Sequence, residues 1–318
     1  MKNKIHKRLK TPRVAKSFSI LMEEGNHNMN LDLFLKDIRL SIMPIGGESD
    51  HVPDFSVELH SRKIDESRVI AILESLTRRY QQNWYSQPPL EKLLSEAVEA
   101  IVLELVWEGR SVHKIFWDKR DNGVYRLHEF AYQWLFRVFG RYIRILPHTH
   151  WHPDDKIYDV ITEKDIWDIV MPKKLGGYQG HRAMLKKLIR FPDLVPSFLA
   201  QKINPHEWPT NFNTKHYAQE TKLFIARATE QWGWNQRDYN SENWNEFYGM
   251  YRSITLKWAQ ACLREHIIKE LNQLFLYLQI DAEIVVKGLP TSWEILRIRK
   301  QMCEGKISFI KAFEKCLV

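Results

Sequence analysis

Three histidines alternate with other residues in His148-Thr149-His150-Trp151-His152, and Asp154 and Asp155 follow closely. On a β-strand alternate side chains share a face, so the three imidazoles would converge, and neutral imidazole is a ligand for zinc, iron or nickel. The chemistry would be that of a metal-dependent hydrolase or oxygenase. Pro147 and Pro153 bracket the run, however, which reads as a loop, and no His-Glu-x-x-His pairing accompanies it. Loop histidines satisfied by solvent are the favoured reading, with the metal enzyme as the alternative.

Other constellations are weaker. Gly176-Gly177-Tyr178-Gln179-Gly180 precedes a helix but lacks the Gly-x-x-x-x-Gly-Lys-Ser/Thr order of a phosphate cradle, and Lys173 and Lys174 come before the glycines. A flexible connection is the better reading. No Gly-x-Ser-x-Gly elbow or Cys/His pairing supports nucleophilic catalysis. Cys262, Cys303 and Cys316 have no metal-ligand spacing and read as packing residues. Trp232, Trp234 and Trp244 around Asn235 are either a stacking platform for single-stranded nucleic acid or wedges that fix a helix corner, the second being commoner. No cofactor is expected.

Cations concentrate at the N-terminus, where Lys2, Lys4, Lys7, Arg8, Lys10, Arg13 and Lys16 precede the first acid, Glu23. This like-charge block reads as a flexible arm, solvated when alone and able to order on nucleic acid or an acidic partner. Of a net charge of +8 it supplies seven, so the folded body is close to neutral. A near-neutral body argues against a dedicated reader of duplex DNA, whose affinity rests on neutralising phosphates.

The elements that position these residues follow from periodicity. The dominant stretch runs from Ser241 to Ile280, with Phe247, Tyr251, Ile254, Trp258, Ala261, Ile268, Leu271, Phe275 and Leu278 at steps of mostly three and four. It predicts one helix too long for a single small core, a rod that spans an assembly or links two regions. Ahead of it, Leu31 to Ile42 reads as a short amphipathic lead-in. Residues 64–80 and 90–107 read as helices, the second stopped by Gly109. From Val112 the pattern becomes short β-type runs around the Asn122-Gly123 and Gly140 turns, predicting an antiparallel sheet over about 112–147. Strands follow at 157–161 and 167–170, then a basic helix over 181–190. Four prolines mark 191–213 as a linker. A helix over 214–231 leads to the tryptophan corner. Ile284 to Val286 reads as a strand, Thr291 with Glu294 as a capping box, and Gly305 as the stop between two closing helices, which pack on the long one rather than read DNA.

The fold class is therefore α+β, mainly α-helical, with a central antiparallel sheet and hairpin region and one long stem-like helix. The 318 residues divide into an arm at 1–17, an α+β region at 18–190, a linker and connecting helix at 191–240, the long helix at 241–280 and a helical hairpin at 281–318. A 44% hydrophobic and 12% aromatic content predicts well-filled cores. No apolar run is long enough to span a membrane and no secretory leader is evident, so a soluble, cytoplasmically made protein is expected.

Four stretches together resemble the portal proteins of tailed bacteriophages, most of all the Mu-like branch. EAIVLELVWEGRSVHKIFWDKRDNGVYRLHEF is similar to that family's helix, glycine, strand and hairpin. YIRILP followed by DIWDIVMPKKLGGYQGHRAMLKKL resembles its paired strands, proline and glycine loop and helix. RDYNSENWNEFYGMYRSITLKWAQACLREHIIKELNQLF resembles its long helix, and LPTSWEILRIRKQMCEGKISFIKAF its closing helix, glycine turn and helix. The chain is short for the family, and a clip would have to lie within 191–213.

The resemblance implies a structural, non-enzymatic subunit of a homo-oligomeric ring, typically of about twelve copies with a heterologous interface. The ring would sit in the virion at a capsid vertex, with double-stranded DNA in its channel during packaging and ejection. Its partners would be capsid protein, terminase and neck or adaptor proteins, with no membrane. It would also place Arg252, Lys257, Arg264 and Lys269 of the long helix towards the channel or a neighbouring subunit. Read without it, the same residues form a solvated face with pairs such as Glu265 with Lys269. Two alternatives stay open: the metal enzyme through His148, His150 and His152, and a nucleic-acid-binding protein acting through its basic arm.

Overall fold

The computed structural model describes residues 29–40, 42–43, 55–77, 88–118, 124–129, 135–138, 141–145, 158–189, 214–236 and 245–317. In chain order the elements are α1 (Met29–Leu40), β1 (Ser56–Ser61), α2 (Lys63–Leu76), α3 (Leu90–Glu108), β2 (Arg110–Asp118), β3 (Val124–Glu129), β4 (Leu135–Val138), β5 (Arg141–Ile145), β6 (Tyr158–Thr162), β7 (Ile166–Val170), α4 (Gly177–Ile189), α5 (Thr214–Ala228), α6 (Glu246–Tyr277), β8 (Ala282–Lys287), α7 (Ser292–Cys303) and α8 (Phe309–Leu317). The fold is α+β and mainly helical, with small antiparallel sheets.

Helix α3 shows why the centre forms. Leu93, Leu94, Ala97, Val98, Ile101, Val102, Leu105 and Val106 recur at every turn and are all buried, a stripe wide enough to be covered on several sides. Gly109 ends it in the left-handed conformation, φ 81°, and its amide caps Leu105. A side chain there would also press on the Tyr178 ring, at 3.0 Å.

The antiparallel region expected over 112–147 divides between two three-stranded sheets. Strand β2 pairs with β3 on one edge and, on the other, with β7, which arrives from much later in the chain. Strands β4 and β5 instead join β6. An unpaired inner edge is costly, and β7 supplies both the missing ladder and two inward side chains, Trp167 and Ile169. Val112 of β2 meets Tyr142 and Ile161 of the second sheet in a small cluster between the two. A third, two-stranded sheet joins β1 to β8 with Ser56 opposite Lys287 and Ser61 opposite Ala282. Strand β1 has no strong alternation and was not expected.

The long helix α6 runs for 32 residues, about 48 Å, five residues shorter at its start than expected. Asn245 caps it, its side chain accepting the Tyr248 amide at 2.7 Å. At the far end Gln279 turns left-handed and the Ile280 amide reaches back to Phe275. The apolar side chains do not form one stripe. Ile254 and Ala261 face α7 and α8, packing with Ile295, Ile298, Met302, Ala312 and Cys316. Leu263, Ile267, Leu271, Leu274 and Phe275 face the main core, which draws residues from Leu31 through Ile284. The helix therefore links two cores within one chain. The short α1 is part of the main core, with Phe34 and Ile38 fully buried, rather than a peripheral lead-in.

Candidate functional site

The polar groups of α6 were the leading candidates for function, and most of them are turned inward. Arg252 is 2% exposed. Its guanidinium donates to the Ala226 carbonyl at 3.0 Å, to Thr229 Oγ1 at 3.2 Å and to the Trp234 carbonyl. Burial lowers its pKa. These contacts fasten the corner between α5 and α6. There Gly233, φ 70°, lies so close to α6 that an added Cβ would sit 2.3 Å from the Arg252 carbonyl oxygen and 2.6 Å from the Leu256 nitrogen. Trp232 and Trp234 flank it, both buried and both edge-on to Phe34 at 5.3 and 5.2 Å. The Trp234 indole donates to Asp37 at 2.8 Å. These two tryptophans are wedges; Trp244 lies outside the described residues.

Arg264 is also buried, at 6% exposure. It donates to the carbonyls of Ile42, at 3.1 Å, and Pro290. Burial brings its pKa down to about 10, opposed by neighbouring Glu265. The solvated or channel-facing position expected for Arg252 and Arg264 is corrected on this point: within the chain both side chains are internal, because each satisfies carbonyls at the ends of other segments. Lys257 is half-buried, and burial together with Arg264 lowers its pKa. Lys269 alone of the four is exposed, at the rim of an open groove of 720 Å³ between α6 and β8.

The expected pairing of Glu265 with Lys269 gives way to a different contact. Glu265 accepts the Ser292 amide and hydroxyl, both at 2.6 Å, placing a carboxylate at the N-terminus of α7 where the helix dipole favours it. The expected Thr291–Glu294 capping box forms beside it. Three further side chains of α6 meet main-chain atoms. Gln260 donates to the carbonyls of Asp37 and Ile38, His266 meets the Val170 carbonyl, and Asn272 bonds both the amide and the carbonyl of Ile284. Periodicity treats such residues only as a polar face; nothing in it says that their partners are backbone.

The glycine loop does not present its amides outward. Gly176 donates to Lys173, Gly177 to Pro172 and Gly180 to Gly176, so these donors are used within the turn. Cys262 and Cys316 are buried as expected, whereas Cys303 is exposed. A buried chain links Glu104, Ser111 and His113: Ser111 Oγ lies 2.6 Å from the carboxylate and 2.7 Å from His113 Nε2. Burial, with His128 nearby, drives the His113 pKa down to about 3, so the chain is neutral at the imidazole. Ser111 has no exposed surface, which denies a substrate access to its hydroxyl.

His148, His150 and His152 lie outside the described residues, as do the arm residues 1–17 and the linker 191–213. Among the described residues no group of three or more potential ligands gathers to hold a metal, and no helix is long and apolar enough to cross a membrane. The basic helix expected over 181–190 belongs to a longer cationic run from Lys173 to Lys187. Lys173, Lys174, Lys186 and Lys187 are all exposed. No protein-family model and no curated protein matches the chain.

Proposed function

We propose that the chain is a structural subunit that closes into a portal-type ring, the passage through which DNA enters and leaves a capsid at one vertex. The observation that carries this reading is the order of parts. Helix α3, Gly109 and the β2–β3 hairpin occupy the first stretch of resemblance, and β7, the Pro172 turn and α4 occupy the second. The long α6 and then the pair α7 and α8 about Gly305 occupy the third and fourth.

The surface is compatible with such an assembly. A ring needs two different patches per subunit, and aromatic anchors carry much of the energy of an interface. Leu276 and Tyr277 at the end of α6 are 78% and 55% exposed, and Trp293 and Ile310 on the closing helices are 66% and 59% exposed. On this reading the partners are other copies of the chain, double-stranded DNA, capsid protein, terminase and neck or adaptor proteins. No cofactor or catalytic residue takes part, and the place of work is the virion.

Mass measurement and negative-stain micrographs of the purified full chain test the reading. The expected result is a ring of about twelve copies with a central opening. A monomer refutes it, and a monomer carrying stoichiometric zinc, iron or nickel points instead to the histidine run at 148–152.

A further inference from the structure

Residues 171–189 contain five cationic side chains, Lys173, Lys174, Arg182, Lys186 and Lys187, and no acid. The arm contributes seven positive charges and this segment five out of a net +8, leaving the remainder of the chain at −4. The segment is thus a net-positive piece in a remainder that carries 35 Lys and Arg against 39 acids. That piece is well ordered by its own apolar half: Leu175, Met184, Leu185 and Leu188 are buried in the main core, and His181 is fixed by a contact with the Val106 carbonyl at 2.7 Å.

The charged half faces outward. Lys173, Lys174, Lys186 and Lys187 are exposed, and among the described residues none of the four forms an ion pair. Arg182 is held by Tyr178, donating to its hydroxyl at 2.7 Å, so one cation of the strip is pre-oriented. Arg182 and Lys186 lie one turn apart on α4, about 6 Å along the axis. Lys187 continues into the cleft against α5, which Arg227 and the acid Glu230 also line. Five cations on a stretch without acids, with Glu230 lining the adjoining cleft, form an electrostatic footprint for a polyanion.

We propose that the strip formed by Lys173, Lys174, Arg182, Lys186 and Lys187 is a contact surface for the phosphate backbone of duplex DNA. An anionic membrane is the poorer fit. A membrane-binding helix inserts an apolar face, and here Met184, Leu185 and Leu188 of α4 are already buried in the core. The four lysines bind phosphate as point charges, without sequence preference, and the Arg182 guanidinium is engaged by Tyr178. Such contacts are individually weak and exchange readily, which suits a duplex that must move. The choice of duplex among polyanions rests on the ring reading; the surface itself does not.

The test is fluorescence anisotropy of a labelled duplex titrated with the full chain, and with a variant lacking residues 1–17 so that the basic arm cannot mask the strip. Lys186→Glu/Lys187→Glu is compared with a charge-matched exposed pair on α8, Lys311→Glu/Lys315→Glu. The expected result in both backgrounds is duplex binding at least about tenfold weaker for the α4 pair and a logarithmic salt slope shallower by about two, with the α8 pair near wild type. Equal losses from the two pairs, an unchanged affinity for the α4 pair, or no duplex binding by the unsubstituted chain overturns the proposal. Loss of binding to anionic phosphatidylglycerol vesicles with duplex binding intact overturns it in favour of a membrane. Ring assembly is scored separately: a monomer that binds duplex through Lys186 and Lys187 removes the ring and leaves the strip standing.

Discussion

Replacing Arg252 separates a structural cation from a functional one. Methionine fills a similar volume but donates nothing. Its introduction strands the Ala226 carbonyl, whose donor is Arg252 Nη1, while the Trp234 carbonyl keeps the Thr229 hydroxyl at 2.7 Å. One buried acceptor without a donor costs about 1–3 kcal/mol. This is less than the roughly 3–5 kcal/mol of a broken buried ion pair, because no carboxylate is left behind. Lysine is the sharper substitution. It retains the charge, yet a single ammonium cannot fork between the Ala226 and Trp234 carbonyls, and it is more strongly hydrated than guanidinium. Arg252→Lys is therefore expected to lose at least as much stability as Arg252→Met. Urea unfolding followed by tryptophan fluorescence reads the effect directly, since the buried Trp232 and Trp234 flank the site. If Arg252→Met matches the wild type, capping of the Ala226 carbonyl contributes nothing and the structural assignment fails.

Three further outcomes follow from geometry on the same molecule. Gly233→Ala meets backbone atoms at 2.3 and 2.6 Å and a left-handed φ, so it should cost more than Arg252→Met; Gly177→Ala, also left-handed but with open space around it, should cost only about 1–2 kcal/mol in the same unfolding assay. His181 is held neutral by burial with its pKa pushed down to about 4, below the usual 6.5. The unfolded chain binds a proton there that the folded chain refuses, so stability is flat above about pH 6.5 and falls as the pH drops towards 4, by about 2 kcal/mol at pH 5. His113, also buried neutral with its pKa near 3, adds a fall of similar size, so His181→Asn should remove about half of the loss in that range. In the native protein only Cys303 should react rapidly with a thiol reagent, Cys262 and Cys316 becoming available after denaturation; burial raises the Cys316 pKa to about 11, which further slows it.

Much of the fold is legible in the sequence because local chemistry and tertiary packing agree. Gly109 stops α3, Thr291 and Glu294 cap α7, and the runs before and after Asn122-Gly123 pair as antiparallel strands. What local reading misses is long-range. Strand β1 exists because β8 pairs with it from more than two hundred residues away, and β7 belongs to β2 rather than to its neighbour β6. The candidate site was harder still. Arg252 and Arg264 look like exposed cations in any helical projection, because periodicity registers polarity and not the carbonyls of Ala226, Ile42 and Pro290 that await them. The cationic run at 173–187 was visible throughout, but only the burial of its apolar half shows that the charges share an outer surface.

The bonds made by α6 also set where this chain can vary. Gln260, Arg264, His266 and Asn272 all meet main-chain atoms, so their partners at residues 37, 38, 42, 170, 284 and 290 satisfy them whatever side chains those positions carry. The tolerance is one-sided. The surrounding segments can be rewritten provided their backbones keep their course, whereas a change on the helix removes a donor that no neighbour replaces. A redesigned or distantly diverged version of this fold would keep its identity along a single helix.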